Sequence, residues 1–182
     1  MDRLSYSAIA SLDGYVNDAE GDFGWAMPDE EVHAYVNDLM RPIATHLYGR
    51  RLYEVMAAWQ TMGTSADEPE VIRDFGEQWR GAEKVVYSTT LDEVSTPRTR
   101  LERSFDPEAV RRLDGDVLVG GPGLAAHAFR AGLVDVVSLI VVPAIVGGGT
   151  AALPSAVDLR LELLDERRFT GGFVALRYAV RR

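Results

Sequence analysis

A short β-branched run, Asp116-Val-Leu-Val119, leads straight into Gly120-Gly-Pro-Gly123 and then into an apolar helical pattern at Leu124, His127, Ala128 and Ala131. This order constrains the chain more than any other feature, because a strand followed at once by a helix is the building unit of a parallel sheet. The glycines carry a second meaning. A turn this tight needs residues without a Cβ. It also brings bare backbone N–H groups and a helix N-terminus up to a ligand, typically a phosphate. An ordinary strand-to-helix turn has the same composition, so other segments must decide between the two.

Those segments repeat the alternation. Leu4–Ala10 alternates as a strand and ends at Ser11-Leu-Asp-Gly14. Asn17–Gly24 is a polar loop. Pro28 and the acidic Asp29, Glu30 and Glu31 open a helix, since Pro fits the first turn and carboxylates favour the positive end of the dipole. Val32, Tyr35, Val36, Leu39 and Met40 recur at helical spacing until Pro42. His46–Gly49 reads as a strand, Arg50–Trp59 as a helix, Thr61–Pro69 as a flexible connection and Glu70–Trp79 as a helix. Strands follow at Glu83–Ser88 and Arg98–Glu102, with a helix from Asp106-Pro107 to Leu113. Val134–Val142 is an apolar run suited to a central strand. After the glycine-rich loop Pro143–Thr150, Leu159–Arg167 and Gly172–Val180 close as an antiparallel pair. The expected fold is one α/β domain over residues 1–182, a three-layer α/β/α arrangement with a mostly parallel central sheet and an antiparallel C-terminal edge.

Composition excludes several function classes. The net charge is −9, with no basic tract, so the electrostatic footprint of a nucleic-acid binder is missing. There is no cysteine, which removes disulfides, thiolate metal sites and a cysteine nucleophile. The three histidines, His33, His46 and His127, are dispersed without metal spacing and read as structural; no metal is expected. No apolar run reaches the roughly 20 residues of a membrane span, and no leader pattern precedes Leu4. A cytoplasmic protein acting on a small molecule, with no membrane or nucleic-acid partner, is the expectation.

Four strand ends carry glycines or hydroxyls: Ser11–Gly14, Gly49-Arg50-Arg51, Ser88-Thr89-Thr90 and Gly120–Gly123. In open α/β sheets ligands bind outside the carboxyl ends of the strands, so these segments are candidates for one crevice. Arg50 and Arg51 begin a helix, where a cation opposes the dipole. They either meet a phosphate there or are solvated surface arginines. Ser88 and Thr89 either donate hydroxyls to the same phosphate or cap a turn. Glu30, just after Trp25-Ala-Met-Pro28, is the one acid singled out for chemistry. Under an indole its pKa would rise and make it a proton donor; otherwise it is a first-turn glutamate. Asp13 is the second candidate, with plain turn chemistry as its alternative.

Ala10-Ser-Leu-Asp-Gly-Tyr-Val16, Gly49-Arg-Arg-Leu-Tyr-Glu54, Val86-Tyr-Ser-Thr-Thr90, Val119-Gly-Gly-Pro-Gly-Leu124 and Ile140-Val-Val-Pro143…Gly148-Gly-Thr150, in this order, resemble the dihydrofolate reductase-like fold. Within it they resemble the riboflavin-biosynthesis reductase branch, the reductase half of the bifunctional deaminase–reductase. The resemblance implies an NADPH-dependent reductase. Gly49, Arg50, Arg51, Ser88 and Thr89 would then hold the 2′-phosphate and pyrophosphate, and Gly120, Gly121, Gly123 and Leu124 would pass under the pyrophosphate. Trp25–Glu30 is similar to the Trp-x-Leu-Pro-x-acid segment of dihydrofolate reductases, which would place Trp25 and Glu30 at the substrate. Leu52 departs from the family's threonine, and neither a deaminase domain nor a zinc motif is seen, so only the reductase half is expected.

The resulting expectation is hydride transfer from NADPH to a C=N or C=O bond of a small pteridine- or pyrimidine-like substrate, by a homodimer joined at its last strands. The alternatives are 5-amino-6-(5-phosphoribosylamino)uracil reductase, a true dihydrofolate reductase, and a nucleotide- or flavin-binding protein without turnover.

Overall fold

The computed structural model describes residues 1–181. Ten strands and five α-helices succeed one another along it: β1 (Arg3–Ser11), β2 (Tyr15–Asn17), α1 (Glu30–Met40), β3 (Ile43–Gly49), α2 (Arg50–Met56), α3 (Glu70–Gly81), β4 (Glu83–Tyr87) and β5 (Thr99–Glu102), then α4 (Pro107–Arg111), β6 (Asp116–Gly120), α5 (Pro122–Arg130), β7 (Val136–Val142), β8 (Thr150–Ala151), β9 (Arg160–Arg168) and β10 (Val174–Arg181). Eight strands form one sheet in the order β5-β4-β3-β6-β1-β7-β10-β9. All neighbours from β5 to β7 are parallel, whereas β10 runs antiparallel to both β7 and β9. The parallel strands therefore end along one edge, where the connecting helices begin.

Alternation within the central strands covers both faces. Val117 and Val119 join Leu4, Tyr6, Leu47 and Val137 beneath Ala125, Ala128 and Phe129 of α5 and Val110 of α4. Leu118, between them in sequence, faces the other way onto Met40 of α1 and Phe75 and Trp79 of α3. Further along that face, Ile140 and Val142 pack under Val32. Residues 136–142 are thus buried between two helical layers, as the apolar run requires. The edge strand β9 is exposed along its whole length.

Several boundaries depart from the sequence reading. The helix expected over 50–59 is α2 followed by a 3-10 turn, Ala57–Gln60. The connection read as flexible is organised instead: Glu68 accepts the N–H groups of Gly63 (2.9 Å) and Ser65 (2.8 Å), and Arg80 donates to the carbonyls of Trp59 (2.9 Å) and Met62 (2.8 Å). Two strands were not foreseen, β2 and β8, which pair antiparallel at the borders of the segments read as loops, sharing only Asn17 and Thr150 with them. They are too short for periodicity to register, and the contact that makes them lies more than 130 residues away in sequence. Gly149 permits it: with φ +127°, a Cβ there would stand 1.9 Å from the Asn17 carbonyl oxygen.

Candidate functional site

A cleft of about 600 Å³ opens at the carboxyl edge of the parallel strands, lined by Gly49, Tyr87, Ser88, Thr89, Thr90, Arg103, Ser104, Phe105, Gly123, Leu124 and His127. Three of the four strand ends chosen from the sequence meet here. The fourth, Ser11–Gly14, ends β1 on the far side of β6.

Helix starts define the floor. α1 is capped by Asp29, whose carboxylate accepts the Val32 N–H at 2.9 Å, and α4 by Asp106, which accepts the Glu108 N–H at 2.9 Å. α2 and α5 have neither a side-chain cap nor an acid in the first turn. These two uncapped helices are the ones that begin at the cleft, and a Cβ on Gly49 would touch Leu124 at 4.0 Å. Their first N–H groups and dipole ends favour an anion between them.

The glycines of the turn divide into different roles. A Cβ on Gly120 would meet the Leu52 side chain at 2.6 Å and the Tyr48 ring at 3.2 Å, so its smallness serves internal packing. Gly121 has φ +81° and ψ 127°, which a side-chain-bearing residue adopts only with strain. Gly123 alone has open space around a would-be Cβ, and it lines the cleft. Leu52 fills the space beneath Gly120 and Gly121.

Ser88 builds its own turn: its Oγ accepts the N–H groups of Thr90 (3.2 Å) and Leu91 (2.9 Å). Thr89 is exposed and lines the cleft. Arg50 and Arg51 are exposed at the start of α2 and outside the cleft lining; Arg50 lies 3.8 Å from Glu54, one helical turn on.

Several cleft residues escaped the sequence reading, Arg103, Phe105 and His127 among them. Arg103 follows β5, donating to the carbonyls of Ser88 (3.1 Å) and Leu91, so it pins the 88–91 turn and sets a guanidinium at the cleft. No motif surrounds it; only the pairing of β5 with β4 brings it there. His127, structural on its sequence pattern, is exposed on the cleft wall, one turn beyond Gly123 on α5. Phe105 stands between Tyr87 (ring centroids 5.4 Å) and His127 (5.9 Å), an aromatic wall of the size and polarity to meet a flat base. Burial pushes the Tyr87 phenol up to about 12. No lining residue is a carboxylate, in a chain of net charge −9.

The other two histidines are internal. His33 meets Asn37 (3.0 Å). His46 is buried against Tyr48 with Nδ1 lacking a partner among the described residues, and burial first, then the Lys84 charge, depresses its pKa to about 3.

The acids chosen for chemistry lie further along the edge, by β1 and β7. Asp13 accepts the N–H groups of Gly147 (2.8 Å) and Val146 (3.2 Å), clamping the 143–150 loop. The Ser11 hydroxyl, then these N–H groups, hold its carboxyl below the usual range. This is the turn-building alternative, and an acid so held is a poor proton donor. Glu30 is the first residue of α1 and is exposed, not roofed by the Trp25 indole. Trp25 sits in a 3-10 turn, half-buried, with its N–H donated to the Asp22 carbonyl at 3.2 Å. Its neighbour Glu31 is the engaged acid, accepting the Thr170 N–H (3.0 Å) and standing 3.4 Å from Arg167.

A doubly covered α/β sheet with a carboxylate-free cleft at its strand ends defines an α/β protein of the dihydrofolate reductase-like fold. The chain belongs to the RibD C-terminal domain family, whose model matches residues 3–175, a family of riboflavin-biosynthesis reductases. It is 24% identical over 97% of its length to an uncharacterised protein, YyaP, of Bacillus subtilis strain 168, covering 94% of that protein. Among solved structures it resembles a putative riboflavin biosynthesis protein from Shewanella sp. PV-4 (TM-score 0.76, 17% identity, 99% of each chain). It also resembles a pyrimidine reductase-like protein from Corynebacterium diphtheriae (TM-score 0.69, 16% identity, 100% of this chain and 92% of that one). A third likeness is to the deaminase/5-amino-6-(5-phosphoribosylamino)uracil reductase of Thermotoga maritima, at TM-score 0.66 and 16% identity, with 99% of this chain aligned to 57% of that one. Among the described residues no helix is long and apolar enough to cross a membrane, and no cluster of metal-binding side chains occurs.

Proposed function

We propose that the protein is an NADPH-dependent reductase of a small heterocycle, acting on a C=N or C=O bond. The observation that carries this reading is the cleft between the starts of α2 and α5, which offers backbone donors and Arg103 and contains no carboxylate. A dinucleotide pyrophosphate fits such a cleft, and the Tyr87–Phe105–His127 wall suits its adenine. Arg50 and Arg51 are exposed beside Gly49 and are the candidates for the 2′-phosphate. NADPH, when bound, supplies the hydride, and the protein positions and shields the reacting ring.

Glu30 remains the proposed substrate-facing acid. Its exposure suits exchange of a proton with water, so its role is to orient a ring N–H or relay a proton through solvent. The pairing of β2 with β8, with the Asp13 clamp, ties residues 13–17 to residues 146–151, so the loop over this end moves with its partner as one unit. A homodimer through β9 belongs to the same reading. That strand is a bare sheet edge carrying Leu161, Leu163 and Leu164 at 42–50% exposure, a surface that pairing with a second copy would cover.

The test is turnover: NADPH oxidation followed spectrophotometrically with a panel of oxidised pteridines, pyrimidines and flavins. Substrate-dependent oxidation supports the reading. Tight NADPH binding with no oxidation by any of them favours the non-catalytic alternative.

A further inference from the structure

A polar row crosses the sheet face under α1, on the side opposite the strand-end cleft, whose wall is Leu124 and His127 of α5. Along this face Ile9, Ile140 and Ala175 stand side by side in register and pack into the apolar cluster of Val32 and Phe169. Side chains alternate between faces, so residues two positions away share it. Toward the amino ends of β1 and β7 those residues are Ser7 and Ser138, followed by Arg177 and Asp165, in register across β1, β7, β10 and β9. Tyr35 of α1 lies over the same face, its ring 5.3 Å from that of Phe169.

The polar groups here lack partners. Ser138 is only 6% exposed, yet its hydroxyl meets no hydrogen-bond partner among the described residues, and neither does that of Tyr35. Arg177 is half-buried, with its Nε shut off from solvent and unpartnered. Its guanidinium forms no ion pair among the described residues, although Asp165 is opposite it on β9. Burial, then the Asp165 charge, push the Tyr35 phenol up, while Arg177 and Arg167 act the other way, so all three charges stand about that hydroxyl. Buried donors are almost always satisfied, and an arginine is seldom buried without something to meet it. Donors left unsatisfied around one spot mark the place of an acceptor that comes from outside the chain.

We infer that Arg177, Ser138 and Tyr35 form a binding site for a small carboxylate, separate from the strand-end cleft and independent of the reductase reading. All three side chains donate hydrogen bonds, and a guanidinium fork matches the two oxygens of a carboxylate. The surrounding charges select a monoanion. Arg167 is engaged by Glu31 at 3.4 Å and Asp165 faces Arg177, so no surplus of positive charge remains for a doubly charged phosphate. Ser138 is four residues short of the β7 end at Val142, about 13 Å below the strand-end edge, out of reach of a ligand seated there.

The Arg177 Nε–H resonance in a proton–nitrogen NMR correlation spectrum reads the site directly, and Arg177→Lys, which deletes it, assigns it. Sodium acetate should move this resonance saturably, with a Kd of about 1–10 mM. Equimolar sodium chloride should leave it in place, and sodium phosphate should bind at least about tenfold more weakly than acetate. Ser138→Ala and Tyr35→Phe each remove one hydroxyl and should weaken acetate by about 3- to 10-fold, with the backbone spectrum still that of the folded protein. A resonance unmoved by acetate, moved equally by chloride, or moved at least as tightly by phosphate would overturn the inference. So would unchanged acetate affinity in both hydroxyl variants. Movement on Asp165→Asn with none on acetate would make Asp165 the partner of Arg177 and leave no site.

Discussion

Gly123 and Gly121 separate what the glycine turn does for the ligand from what it does for the fold. Gly123 lies in the first turn of α5, lines the cleft, and has nothing within 4 Å of where a Cβ would stand. Gly123→Val therefore introduces no clash, and replacing a helical glycine recovers some backbone entropy, so stability should hold or rise by a few tenths of a kcal/mol. The valine methyls nevertheless stand where an anion would approach the helix N-terminus. Loss of one or two charge-assisted hydrogen bonds, each worth about 1.5–3 kcal/mol, predicts a fall in NADPH affinity of about 10- to 150-fold per bond. Gly121→Val behaves differently. Leu52 would be in ordinary contact at 3.6 Å, so the cost is the backbone at φ +81°, about 1–3 kcal/mol, or a Tm lower by roughly 2–12 °C for a domain of this size. Thermal unfolding and fluorescence titration of NADPH on both variants give the comparison. NADPH affinity within threefold of wild type in a stably folded Gly123→Val would refute the placement of the phosphates.

Other perturbations test the remaining parts of the account. Glu30→Gln should leave NADPH affinity unchanged and lower turnover by about 10²–10⁴-fold, with loss of one limb of the pH–rate profile; equal turnover would make Glu30 an ordinary helix-start acid. His46 is buried neutral with its pKa lowered from 6.5 to about 3, so the unfolded chain takes up the proton first as pH falls. Its contribution is present above pH 6.5 and lost progressively toward pH 3, a swing on the order of 5 kcal/mol. His46→Phe should flatten that acid limb in urea unfolding series, and an unchanged pH dependence would contradict the assignment. Light scattering at micromolar concentration should give a dimer, and Leu163→Lys on β9 a monomer; a monomeric wild type would remove the proposed interface.

Element order and sheet type were legible in the sequence because they rest on local signals. Residues 116–131 announced a strand, a turn and a helix, and the largely apolar run ending at Val142, interrupted by Asp135 and Ser138, announced a central strand. The cleft at the strand ends was legible in part. Gly49, Ser88 and Gly123 stand at strand or helix ends, where glycine and hydroxyl residues have local meaning, and they converge. Arg103 and His127 did not register, since one is placed by β5 pairing and the other by its turn of α5, and neither sits in a motif. Asp13 had two readings from sequence alone. In the structure it holds the N–H groups of Val146 and Gly147, which lie 133 and 134 residues away.

Titration of the wild-type protein with NADPH and with NADH, followed by fluorescence, tests the central claim most directly. The cofactors differ only in the 2′-phosphate, which Arg50 and Arg51 are proposed to meet. The account predicts that NADPH binds about 10- to 150-fold more tightly, and that replacing both arginines by alanine erases the difference while the protein stays folded. Equal dissociation constants for the two cofactors, or no binding of either, would contradict it.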